Sequence, residues 1–89
     1  MVWKIEIDKK AQKEISKLDK QVAQRILIFL RDKLSKSENP RLLGEPLQGQ
    51  ILGELTKFRV GDYRIISKIE DEFILITVVK VGHRKEVYK

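Results

Sequence analysis

An α+β domain is what these 89 residues predict: an N-terminal strand, then a helical hairpin packed on one face of an antiparallel sheet of about four strands. Three observations carry that reading. The chain opens on an alternating apolar run, continues with two amphipathic helical stripes, and ends on three β-like runs joined by links too short for a crossover. A chain of this length builds one core, so 1–89 reads as a single domain.

From Val2 to Ile7, Trp3, Ile5 and Ile7 fall on one face and Lys4 and Glu6 on the other, the pattern of a half-buried strand. Asp8 follows as a helix N-cap, and Ala11, Ile15 and Leu18 give one buried stripe over Lys9 to Leu18. Asp19 is a second N-cap, ahead of a longer stripe of Val22, Ile26, Phe29, Leu30 and Leu34. Two helices separated by so little chain predict an antiparallel hairpin. Residues Ser35 to Gln50 hold Pro40, Gly44, Pro46 and Gly49, which predicts an ordered, winding connector rather than a helix.

Three β-like runs follow: Leu52 to Val60, Tyr63 to Ile69, and Phe73 to Val81. The links Gly61-Asp62 and Glu70-Asp71-Glu72 can join only antiparallel neighbours. The stretch Phe73 to Val79 is apolar on both faces, which predicts a central strand.

Composition narrows the function. There is no cysteine and a single histidine, His83, which removes disulfides, thiolate metal sites and His-rich metal sites, so neither metal nor cofactor is expected. The start lacks the apolar run of a signal peptide, and no stretch reaches the roughly 20 apolar residues of a membrane span, so a cytoplasmic protein is expected. A formal charge of +6 favours an anionic partner, although lysine also serves solubility alone.

The placement of the charges is more informative. If Gly61-Asp62 is a two-residue type II′ loop, Arg59 stands directly opposite Arg64, with Lys57 on the same face. Like charges so placed repel by about 0.2–1 kcal/mol, and a bound phosphate would supply a reason for them. A longer loop or a slipped register would instead fan them into water. Beyond the last strand, His83, Arg84, Lys85 and Tyr88 add a phosphate-binding fork and groups able to move protons or stack on a base. Taken singly, His83 reads more readily as a surface imidazole than as a catalytic group, and Tyr88 as a residue tucking the chain end onto the core.

The run Leu55-Thr56-Lys57-Phe58-Arg59-Val60-Gly61-Asp62-Tyr63-Arg64-Ile65-Ile66, followed by Val81-Gly82-His83-Arg84-Lys85-Glu86-Val87-Tyr88, resembles the RelE branch of the RelE/ParE toxin superfamily. The likeness extends over nearly the whole chain, including Leu47-Gln48-Gly49. It implies a toxin of a type II toxin–antitoxin system, a metal-free endoribonuclease that cuts messenger RNA in the ribosomal A site. It also implies inhibition by a cognate RelB-like antitoxin, with operator DNA bound only through the antitoxin complex. By the same resemblance, Arg64 contacts the scissile phosphate, Arg84 is a phosphate ligand or proton donor, and Tyr88 stacks on the base and helps activate the nucleophile.

Lys57 joins these as a catalytic candidate, and Arg59, His83 and Lys85 as substrate-binding candidates. Two departures stand out. Some relatives carry two lysines spaced by two in the second strand, where this chain has Leu55 and Lys57. Several continue past the tyrosine, so Tyr88 is expected to fray in the free protein. The rival readings are a ParE-like gyrase poison that cuts no RNA, and a catalytically silent RNA- or partner-binding module on the same basic face.

Overall fold

The period of two at the start becomes strand β1 (Lys4–Ile7) in a computed structural model that describes residues 2–47 and 55–85. Trp3 is buried, while Lys4 and Glu6 stay exposed. Asp8 then caps helix α1 (Lys9–Ser16), its Oδ1 accepting the Ala11 N–H at 2.8 Å. Asp19 caps helix α2 (Lys20–Ile28) by accepting the Gln21 N–H at 3.2 Å. Both caps stand where the sequence places them.

Helix α2 continues into a π-type segment, Phe29–Leu34, whose wider winding lets the Ser35 N–H reach the Leu30 carbonyl. Ser35 then closes the layer. Its carbonyl accepts the Trp3 N–H at 2.7 Å and its hydroxyl donates to the Trp3 carbonyl at 2.8 Å, so the end of the helical layer is stitched to the start of the chain.

The connector carries a 3₁₀ turn at Pro40–Leu43, pinned by a two-pronged contact in which both Arg41 Nη atoms lie 2.9 Å from Asp71 carboxylate oxygens. That hydrogen-bonded guanidinium holds the Asp71 carboxyl below its ordinary range. Next comes strand β2 (Glu45–Pro46), then β3 (Leu55–Val60), β4 (Tyr63–Glu70) and β5 (Leu75–His83). Of the second β-like run, 52–54 lies outside the described residues, as do Gln48 and Gly49.

The sheet order is β1-β5-β4-β3-β2, with β4 in the middle and β5 an interior strand, as its two-sided apolar run predicts. Two features differ from the expected antiparallel sheet of about four strands. First, β1 pairs with β5 in parallel, because the whole helical layer lies between them in sequence and supplies the crossover that a parallel return needs. Second, the connector adds a fifth strand by laying Glu45 and Pro46 along β3.

Both helices cover one face. Ala11, Ile15, Ile26, Leu30 and Leu34 pack there against Phe58, Ile65, Ile69, Ile76, Val78 and Val81. Among the described residues the opposite face of the sheet carries no helix, and it holds Lys57, Arg59 and Arg64.

Gly44 shows how tightly the connector is seated. A Cβ at this position would lie 2.5 Å from the Lys57 carbonyl and 2.8 Å from the Phe58 ring, so the close approach of β2 to β3 requires glycine on steric grounds. Gly44→Ala should therefore lower the unfolding free energy by about 1–3 kcal/mol, the range for overpacking. Urea titration of both proteins checks this, and an unchanged midpoint would show that the connector shifts at no cost.

Candidate functional site on the open face of the sheet

The Val60↔Tyr63 pair closes a loop of Gly61 and Asp62, and Gly61 takes the positive φ of 58° that the first position of a type II′ turn demands. The register then follows, with Arg59 opposite Arg64 and Arg64 opposite Gly82. Period-two alternation sends all three to the face without helices, together with Lys57. Gly82 puts no side chain beside Arg64. The Arg64 guanidinium folds toward the turn, Nη1 donating to the Gly61 carbonyl at 3.2 Å and the Tyr63 carbonyl at 3.1 Å.

Glu45 was not legible as a site residue, yet it sits in this cluster. In β2 it is in register with Lys57, and its carboxylate reaches Lys57 Nζ at 3.8 Å and Arg59 Nη2 at 3.3 Å. Arg59 and Lys57 thus share an internal counter-charge, where the sequence offered a bound phosphate or solvent. The Arg59–Glu45 pair is exposed on both sides, and pairs of that kind stabilise by about 0–1 kcal/mol, weak enough for an incoming phosphodiester to displace.

The segment after β5 is tied to the same hairpin tip. The Arg84 N–H donates to the Asp62 carbonyl at 2.8 Å, which extends the β4–β5 ladder by one step and sets Arg84 beside the Gly61-Asp62 turn. His83 faces the other way. It pairs with Tyr63, and the two rings meet edge to face at 5.4 Å on the helix side of the sheet. Its Nδ1 accepts the Lys85 N–H at 3.2 Å, so the imidazole braces the turn that presents Arg84.

A cleft of about 510 Å³ opens beside His83, bordered by Glu14, Lys17, Tyr63 and Lys80. There the Glu14 carboxylate accepts the Val81 N–H at 2.8 Å. The structure therefore groups Lys57, Arg59 and Arg64 on one face with Arg84 at its rim, sets His83 on the opposite side, and leaves Lys85 exposed. Tyr88 lies outside the described residues.

A family model described as the ParE toxin of the type II toxin–antitoxin system parDE matches residues 5–88. The chain is similar to mRNA interferase toxin RelE of Escherichia coli, 31% identical over 90 residues that span 99% of this chain and 92% of that protein. It is similar to toxin RelG of Mycobacterium tuberculosis, 26% identical over 89 residues, covering 100% and 99% of the two. Among solved structures, the M. tuberculosis toxin–antitoxin complex RelBE2 superposes at a TM-score of 0.84, with 24% identity and coverage of 97% and 95%. The archaeal RelE–RelB complex from Pyrococcus horikoshii gives 0.74, at 29% identity and coverage of 97% and 99%.

The position of Glu45 generates a test of the electrostatics. Glu45→Gln removes the counter-charge while keeping shape, so affinity for a short, non-cleavable oligonucleotide should rise up to about fivefold, the equivalent of one exposed ion pair. The gain should fade with added salt. Calorimetric titration at two salt concentrations checks it, and equal affinity for both proteins would place the nucleic acid elsewhere.

Proposed function

The chain belongs to the ParE toxin family of type II toxin–antitoxin systems, within the RelE/ParE superfamily, and from that premise we propose that it is a ribosome-dependent endoribonuclease that cuts messenger RNA in the A site. It is a toxin of the RelBE type, and the partner proposed for it is a RelB-like antitoxin, as in the complexes its fold matches. The observation that carries the nuclease reading is the pair of facing arginines, Arg59 and Arg64, on a helix-free face with Arg84 fixed at its rim. Function does not follow from the shared fold, but this grouping has the charge and the rigidity that a phosphodiester needs.

In the proposed reaction the ribose 2′-oxygen attacks its own 3′-phosphorus. The bond from phosphorus to the 5′-oxygen of the next nucleotide breaks, leaving a cyclic phosphate and a 5′-hydroxyl. The protein must hold the attack in line, offset charge on the phosphorane, accept the 2′-hydroxyl proton and protonate the leaving oxygen. Arg64 and Arg84 are assigned to the phosphorane, with Arg84 the proton donor or the phosphate ligand. Arg59 and Lys85 position the strand, and His83 contributes indirectly by accepting the Lys85 N–H from the far side of the turn.

Lys57 and Tyr88 are candidates for proton withdrawal, and Glu45 is a third. Experiment separates Glu45 from the other two, because Glu45→Gln should slow the chemical step on bound substrate while strengthening binding. An unchanged single-turnover rate for that variant would return the role to Lys57 or Tyr88.

In a bacterial cell, induction should arrest growth and cut messages inside coding regions in a translation-dependent way, and co-expression of the antitoxin should prevent both. Sequencing of RNA 5′ ends reads the outcome. Intact messages accompanied by gyrase-linked DNA breaks would replace the nuclease reading with gyrase poisoning.

The arginine assignments have their own test. Groups that meet charge formed only in the transition state affect rate more than affinity. Arg64→Ala and Arg84→Ala should each reduce single-turnover cleavage on saturating programmed ribosomes by about 10²–10³, the scale of one lost oxyanion donor. Rates equal to the parent's once bound would reduce both residues to docking groups.

A further inference from the structure

Lys80 has no role in the reading above. It lies opposite Ile66, which lies opposite Lys57, so the three form a row across β5, β4 and β3 on the helix-free face. This row is the next one in from Arg59, Arg64 and Gly82. Two residues of strand separate the rows, about 6.6 Å at the usual rise, comparable to the step between consecutive phosphates on a single strand.

Ile66 is only 5% exposed, although it faces away from the helices and stands apart from the core cluster under them. The Lys57 side chain in the same row is 15% exposed, so its stem lies low on the sheet with the ammonium at the end. Lys80 on the other flank is half-buried, and among the described residues it makes no ion pair and no side-chain hydrogen bond. Lys80 lies past the end of β1, which pairs only with Leu75 to Val78, and it borders the cleft that holds Glu14 without bonding to it, so a half-buried ammonium there is available to an arriving anion.

Resting on the ribonuclease reading, we propose that Lys80, beside the Ile66 platform, forms a second phosphate subsite that takes the linkage adjacent to the scissile one. The arginine row, with Lys57 next to it, receives the reacting phosphate. Lys80 receives its neighbour and fixes the direction in which the strand crosses the sheet.

The test uses programmed ribosomes carrying a synthetic message in which one linkage on either side of the scissile one is an uncharged methylphosphonate. With the parent protein, neutralising one of the two neighbouring linkages should raise the half-saturating toxin concentration about three- to tenfold, the scale of one phosphate contact. Lys80→Gln should cause the same rise on the unmodified message and make the variant indifferent to that linkage, because residue and phosphate belong to one contact. Lys80→Arg should behave as the parent.

A Lys80→Gln variant that saturates like the parent, or that remains sensitive to the neutral linkage, overturns the subsite. Arg64→Ala run in parallel separates the two ideas. If it slows cleavage while Lys80→Gln changes nothing, only the Lys80 subsite falls. If the parent leaves the message uncut, the ribonuclease reading falls and takes the subsite with it.

Discussion

The buried row formed by Phe58, Ile65 and Val81 across β3, β4 and β5 sets the register on which the whole basic face depends. These side chains are 0%, 0% and 2% exposed, and each lies one residue from a member of the Arg59, Arg64 and Gly82 row. A slip of one residue in β3 would turn Phe58 to water and drive Lys57 or Arg59 into the core. The core thus enforces a cluster of like charges that local electrostatics disfavours. Burying one such side chain is worth about 1.5–3 kcal/mol, whereas facing like charges on a sheet repel by about 0.2–1 kcal/mol, so the apolar row prevails.

Glu45 adjusts what that register imposes. Its carboxylate stands between Lys57 and Arg59 only because Gly44 lets the connector lie against the β3 backbone. The consequence is a face that is strongly cationic in composition and partly neutralised at rest. A phosphodiester arriving at this face would exchange one oxyanion for another rather than enter an empty field. Such an exchange favours ligands that present several phosphates or a fixed geometry, since a single carboxylate already satisfies the outer two cations. Arg64 is held differently, by backbone carbonyls of the turn, and those contacts orient its guanidinium without reducing its charge.

The parts of this arrangement legible in the sequence are those fixed by local chemistry. Gly61-Asp62 between two β-like runs allowed one tight loop, and that loop set Arg59 against Arg64. Asp8 and Asp19 ahead of apolar stripes marked both helix starts, and the two-sided run after Phe73 marked an interior strand. The parallel pairing of β1 was not legible, because strand direction there is set by a partner some seventy residues away. Nor was β2, since two residues of a Pro-containing connector carry no period to read.

Lys80 was hidden by a different effect. Counting by twos from Val78, which faces the helices, places Lys80 under them. The irregularity opposite Ile66 and Ser67 makes Val79 the extra residue of a bulge, and the count restarts on the other face. The same bulge returns Val81 to the core and Gly82 to the arginine row, so one inserted residue decides on which side of the sheet the C-terminal basic segment emerges. Bulges bend and twist the strand that carries them, and this one lies directly before the residues that form the rim of the site. Strict alternation through all of β5 with Val79 kept in step would put Val78 and Lys80 on one face and Val79 and Val81 on the other, so either Val78 or Val81 would leave the core. A regular β5 is therefore incompatible with burying Ile76 and Val78 at one end while presenting Arg84 beside Arg64 at the other.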